Sequence, residues 1–120
     1  MTELYSVKFT QISESAKESL EEGFLIIFGS MAPEDLAEYC FIHTHDDLKG
    51  DLEVGGKMIL GDTEYPITAV GCVVNENLGN LGHITIRFDG SSEPEVPGSL
   101  HVEGIAPSEI NVETKLSFVK

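Results

Sequence analysis

The stretch LYSVKFTQI, Leu4 to Ile12, alternates along its length. Leu4, Ser6, Lys8, Thr10 and Ile12 share one face, and Tyr5, Val7, Phe9 and Gln11 share the other. Successive strand side chains point to opposite sides of a sheet, so a period of two reads as a half-buried β-strand. The same period returns in HITIRF, where Ile84, Ile86 and Phe88 alternate with His83, Thr85 and Arg87. Between and beyond these segments the chain is punctuated by turns. Ser15-Ala16-Lys17-Glu18 fits a capping box and opens a short helix to about Glu22, with Gly23 as its stop. Phe24 to Phe28 is a continuous apolar run and reads as a buried strand. Pro33 opens a second short helix, with Glu34 and Asp35 in its first turn, and the apolar segment Tyr39 to Ile42 follows.

Further along, 43–56 is polar and carries Gly50, Gly55 and Gly56. Lys57 to Leu60 and Tyr65 to Val74 are strand-like and joined through Gly61-Asp62, a hairpin signal. Pro66 suggests a sheet edge or a strand start. Asn75 to Gly82 reads as a loop or a single helical turn, and Gly90 to Gly98, with Pro94 and Pro97, as a loop. Leu100 with Val102 and Leu116 to Val119 complete the strands. Many short strands between turn signals predict an antiparallel barrel or sandwich. The expectation is a mostly all-β chain: a small antiparallel β-barrel with one or two short helices, forming a single domain over 1–120.

The chain has 120 residues, with 7 Lys and Arg against 21 Asp and Glu, a net charge of −14. No basic footprint is available for phosphates, which excludes nucleic acid as a partner, and an anionic membrane surface would repel the chain. The charge favours a basic partner. Apolar residues make up 41% of the chain, enough for a packed core. The run Phe24 to Phe28 is too short to span a bilayer. The start MTELYSVKF has neither a basic region nor an apolar signal core, so a cytoplasmic protein is expected. Cys40 and Cys72 are too few for a disulfide framework and read as two reduced, buried thiols.

Four histidines are present: His43, His45, His83 and His101. His43-Thr44-His45 has a spacing of two, which on an extended backbone puts both imidazoles on one face. Cys40, His43 and His45, with His83 or His101, offer metal ligands. A cupin-like barrel would use His43, His45 and His101 in Gly98-x-x-His101, but Pro97 falls one place late and Lys49 and Gly50 stand where a glutamate belongs. Nucleophilic use of a histidine is the second reading. A neutral imidazole attacks a phosphoryl group, a second group such as His45 fixes its tautomer, and a cation such as Arg87 takes the oxyanion charge. The simpler reading of Arg87 is a residue of a solvated strand face. Asp46 and Asp47 are expected to oppose this use by raising the imidazole pKa and repelling a phosphoryl group, unless they point away or hold an Nδ1 proton so that Nε2 is the nucleophile. Hydrolysis by a Cys–His or Ser–His pair lacks a nucleophile elbow, and Gly79-Asn80-Leu81-Gly82 is no P-loop. A non-catalytic acidic interaction module stays open beside these.

The segments APEDLAEYCFIHTHDDLKG (Ala32 to Gly50), YPITAVG (Tyr65 to Gly71), ENLGNLGHITIRFDG (Glu76 to Gly90) and PGSLHVEG (Pro97 to Gly104) together resemble one family. It is the glucitol/sorbitol-specific IIA component of the bacterial phosphoenolpyruvate-dependent sugar phosphotransferase system (PTS). The resemblance covers essentially the whole chain. It implies a phosphocarrier that takes a phosphoryl group from HPr onto a histidine and passes it to the IIB component of the sorbitol/glucitol transporter, usually onto a cysteine. No cofactor is implied. The family's phosphoacceptor matches His43, with His45 as an assisting group by analogy with IIA proteins of other classes. Such a histidine is expected on an open surface. Phe41, Ile42 and Leu48 are expected to form a docking patch, rimmed by Glu34, Asp35, Glu38, Asp46 and Asp47.

Overall fold

A computed structural model describes residues 2–120. The elements in chain order are β1 (Glu3–Ile12), α1 (Glu14–Glu21), β2 (Phe24–Gly29), α2 (Glu34–Ala37), β3 (Phe41–His43), β4 (Lys57–Leu60), β5 (Thr63–Val70), α3 (Val74–Leu81), β6 (Ile84–Arg87), β7 (Ser99–Val102) and β8 (Lys115–Val119). The eight strands close into a barrel in the order β1-β3-β2-β6-β7-β5-β4-β8. Closure leaves no unpaired sheet edge among the described residues. Two of the pairings, β2 with β3 and β6 with β7, are parallel. The other six are antiparallel, as the turn-rich sequence led one to expect.

The period of two decides what fills the barrel. Tyr5, Val7 and Phe9 of β1 point inward with Leu25 and Ile27 of β2, Ile84 and Ile86 of β6, and Leu116 and Phe118 of β8. Opposite faces of β2 and β3 build a second, smaller cluster outside the wall. Phe28, Cys40 and Ile42 pack there with Ala32 and Ala37, under α2. Phe41 (0% exposed) and Ile42 (6%) are therefore covered on both sides of the wall and present no docking patch. Leu48 is half-buried against the main core.

Several local expectations are corrected. The cap of α1 is Ser13, whose hydroxyl accepts from the Ala16 amide, and not Ser15. Gly23, at φ +85°, does follow the helix end. Helices number three among the described residues. Residues 74–81, divided in the sequence reading between a strand end and a loop or single helical turn, form the eight-residue helix α3. The strand before it stops at Val70 because Gly71 is pressed against the Pro97 carbonyl, so close that a Cβ would lie 2.2 Å from that oxygen. Val74 and Leu78 then form the buried stripe of the helix. Pro66 lies within β5 rather than at an edge. The Ile67 N–H bonds toward β4 at Gly56, so the proline nitrogen faces β7, whose pairing begins only at Ile67. Cys72, in the turn after Gly71, is exposed and not buried.

Candidate functional site

His43 closes β3, opposite Gly29 of β2 and Phe9 of β1. Its side chain points inward and is 0% exposed, which corrects the expectation of an open, surface-borne histidine. Both ring nitrogens are occupied. Nδ1 lies 3.0 Å from the His45 backbone N–H, and Nε2 lies 2.8 Å from the Gly82 carbonyl oxygen. An N–H can only donate and a carbonyl can only accept, so the lone pair is on Nδ1 and the proton on Nε2. The ring is a neutral imidazole. Burial pushes its pKa down to about 4; the Gly82 carbonyl opposes the shift and His45 adds to it.

His45 lies just past the strand, with a left-handed backbone at φ +58°. This bend, rather than strand alternation, brings its ring to 6.2 Å from that of His43. Its Nδ1 is 2.6 Å from the Tyr5 hydroxyl. Tyr5 is 0% exposed and stands edge-on to His43, with ring centroids 6.0 Å apart. Burial raises its pKa far above the ordinary phenol value, so it stays protonated.

The third wall is Gly82, which ends α3 in the left-handed region at φ +67°. A Cβ there would lie 2.6 Å from His43 Cε1 and 2.9 Å from His45 Nδ1. Only glycine allows helix α3 to end against these two rings. Asp46 turns away from them. Its carboxylate accepts from the Ser6 amide at 3.2 Å and from Lys49 Nζ at 2.9 Å. Partial burial acts to raise the Asp46 pKa, but these donors hold it below its usual value. Asp47 is exposed. The expected rise in the His43 pKa therefore does not occur.

The remaining expected residues lie elsewhere. Arg87 is at the far end of β6 from Gly82. Its head sits 5.3 Å above the Phe24 ring, with Nε 3.3 Å from the Glu95 carboxylate. His83 lies on the outer face, stacked on Phe28 at 4.3 Å, with Nδ1 donating to the Ile27 carbonyl. His101 is buried in β7, where Nδ1 meets Asp89 at 2.8 Å and Nε2 accepts from the Glu95 amide. The set His43, His45 and His101 is thus not brought together. Among the described residues no three metal-ligating side chains converge. Tyr5 and Gly82 are the site residues that sequence reasoning missed. Tyr5 reads as one more apolar-face residue beside Val7 and Phe9, and Gly82 as a loop glycine.

Residues 4–117 match the family model described as "PTS system glucitol/sorbitol-specific IIA component". Two relatives, from Shigella flexneri and Escherichia coli, are each named PTS system glucitol/sorbitol-specific EIIA component. Each is 48% identical over 118 residues, covering 98% of this chain and 96% of its own length. The crystal structure of a PTS system IIA component from Enterococcus faecalis has the same fold. It gives a TM-score of 0.81 at 23% identity and covers 96% of this chain and 99% of that one. The match runs through every wall of the His43 site, and the chain belongs to the glucitol/sorbitol-specific IIA components of the PTS, a family of phosphotransfer proteins.

Proposed function

We propose that this protein takes a phosphoryl group from phospho-HPr onto His43 and delivers it to the IIB component of a sorbitol/glucitol transporter, working in the cytoplasm. The observation that carries this reading is the state of His43: a neutral imidazole with a defined tautomer, held beside a second histidine. Neutrality leaves a nucleophilic lone pair at physiological pH. In the forward step Nδ1 of His43 bonds to phosphorus as the donor's N–P bond breaks, and that bond's electron pair returns to the donor imidazole. The Nε2 proton stays in place, donating to Gly82, whose carbonyl dipole faces the positive charge that develops on the ring. Delivery reverses this on His43, with a partner thiolate as attacking group. Both exchange partners are protein side chains, so the cycle needs no cofactor. No described helix is long and apolar enough to cross a membrane.

Acceptance requires the Thr44–His45 peptide to move off Nδ1. His45 already holds a left-handed backbone, which costs about 1 kcal/mol for a non-glycine residue, so part of the cost of moving is returned. The test is incubation with phosphoenolpyruvate, Enzyme I and HPr, followed by intact mass. The expected product is one acid-labile, base-stable phosphate, lost in His43→Gln and kept in His83→Gln and His101→Gln. Absence of a mass gain in the wild type overturns the carrier reading, and labelling of His43→Gln overturns the assignment of His43.

A further inference from the structure

We infer that Tyr5 is a positioning residue of this site: its buried hydroxyl donates to Nδ1 of His45 and so fixes the His45 proton on Nε2, making His45 a neutral hydrogen-bond donor to the phosphoryl oxygens. The inference rests on the carrier reading above and adds to it the residue that sets the state of the assisting histidine.

The geometry leaves the hydroxyl little choice. Tyr5 is 0% exposed, so its O–H cannot turn to solvent. The acceptor within reach is Nδ1 of His45, at 2.6 Å. A buried hydroxyl left without an acceptor is unfavourable, so its hydrogen goes to Nδ1, and Nδ1 must then carry the lone pair. The neutral His45 ring therefore keeps its proton on Nε2. That nitrogen has no side-chain or backbone partner among the described residues, and the residue is only half-buried.

The consequence is local and electrostatic. A phosphoryl group in transfer carries negative charge on its oxygens, and an N–H placed beside it stabilises that charge. The opposite tautomer would present a lone pair to the same oxygens. Tyr5 is placed to make this choice because its ring sits against both histidines, 6.0 Å from His43 and 5.9 Å from His45, and is backed by Phe118 at 6.3 Å. The same packing means that removing the oxygen alone leaves the ring supported.

The test is Tyr5→Phe, alone and combined with His45→Ala. The His45 tautomer is read by heteronuclear NMR of the imidazole nitrogens in the unphosphorylated protein, and the rate of phosphoryl acceptance from phospho-HPr is measured in parallel. The expected result is loss of the pure Nε2–H tautomer and a roughly ten-fold slower transfer, the size of one hydrogen bond to a charged group. Tyr5→Phe should have no further effect in the His45→Ala background, because Tyr5 acts through that ring. An unchanged tautomer overturns the inference, as does an unchanged rate. Equal slowing with and without His45 also overturns it, since Tyr5 would then act by packing. If the wild-type protein accepts no phosphoryl group, the carrier reading fails with the role in transfer, while the NMR arm still decides whether Tyr5 sets the His45 tautomer.

Discussion

Burial of a neutral His43 ties the stability of the barrel to pH. Its folded pKa is about 4 against an ordinary 6.5. Between these values the unfolded chain binds a proton that the folded chain excludes, so stability rises with pH across the window. The contribution is complete above about pH 6.5 and is lost progressively as the pH falls toward 4. At pH 5 the unfolded imidazole is nearly all charged and the folded one nearly all neutral, so going from pH 7 to pH 5 removes about 2 kcal/mol. Such a loss is a sizeable share of the stability of a small domain. Other groups also titrate over this range, so the wild type is compared with His43→Gln, which lacks this contribution. Urea denaturation followed by far-UV circular dichroism gives the stability of each protein at both pH values. The wild type should lose about 2 kcal/mol more than the variant between them. In parallel, the His43 ring signals in NMR should stay unprotonated down to about pH 5. Equal pH dependence in the two proteins, or a His43 titration near 6.5, would refute the burial argument.

Three further outcomes follow from the site. Gly82→Ala must give up its left-handed backbone or push the His43 ring off the Gly82 carbonyl. It should lower stability by more than the roughly 1 kcal/mol that the backbone alone costs and abolish most phosphoryl acceptance, as read by urea midpoint and intact mass. Glu34, Asp35 and Glu38 are all exposed at α2. Changing them together to lysine should slow acceptance from HPr roughly ten-fold at low salt, and less at high salt, with stability nearly unchanged. A salt-independent or wild-type rate removes these acids from the docking surface. Arg87→Gln should transfer within about two-fold of wild type and lose less than about 1 kcal/mol, because its contacts with Phe24 and Glu95 are partly exposed and remote from His43. A large loss of transfer would restore Arg87 to the chemistry.

What could be read from the sequence divides along physical lines. β1 and β6 were legible because each has one buried and one outer face, and a period of two records that directly. α3 was not, because Val73 and Val74 look like the continuation of β5. The event that ends the strand is the approach of Pro97 to Gly71, a contact made 26 residues away. The histidine pair was legible as a pair, yet its geometry was not. Alternation would have put both rings on one strand face, whereas the structure ends the strand at His43 and turns His45 toward it with a left-handed residue. Burial of His43 was hidden for the same reason as the full length of α3, since the group that covers Nε2 is the carbonyl at the end of that helix, which the sequence suggested only as a loop or a single turn.

The acidic neighbours misled because adjacency in sequence is not adjacency in charge: Asp46 is spent on Ser6 and Lys49. The electrostatic state of the site therefore comes from its walls rather than from its nearest acids. Tyr5, Gly82 and the His45 amide reach it from a β-strand, a helix end and a turn. The His45 amide and the Gly82 carbonyl place the His43 lone pair on Nδ1 and its proton on Nε2, burial keeps the ring neutral, and Tyr5 packs edge-on against it while its hydroxyl meets His45. Three separate elements hold that geometry only if the strand they converge on is fixed at both edges, and β3, paired to β1 on one side and β2 on the other, supplies this with only three residues. A slip of one residue in either pairing would turn His43 to the outer wall and put Ile42 in its place. Register in β3 is thus as much a condition of the chemistry as the imidazole itself.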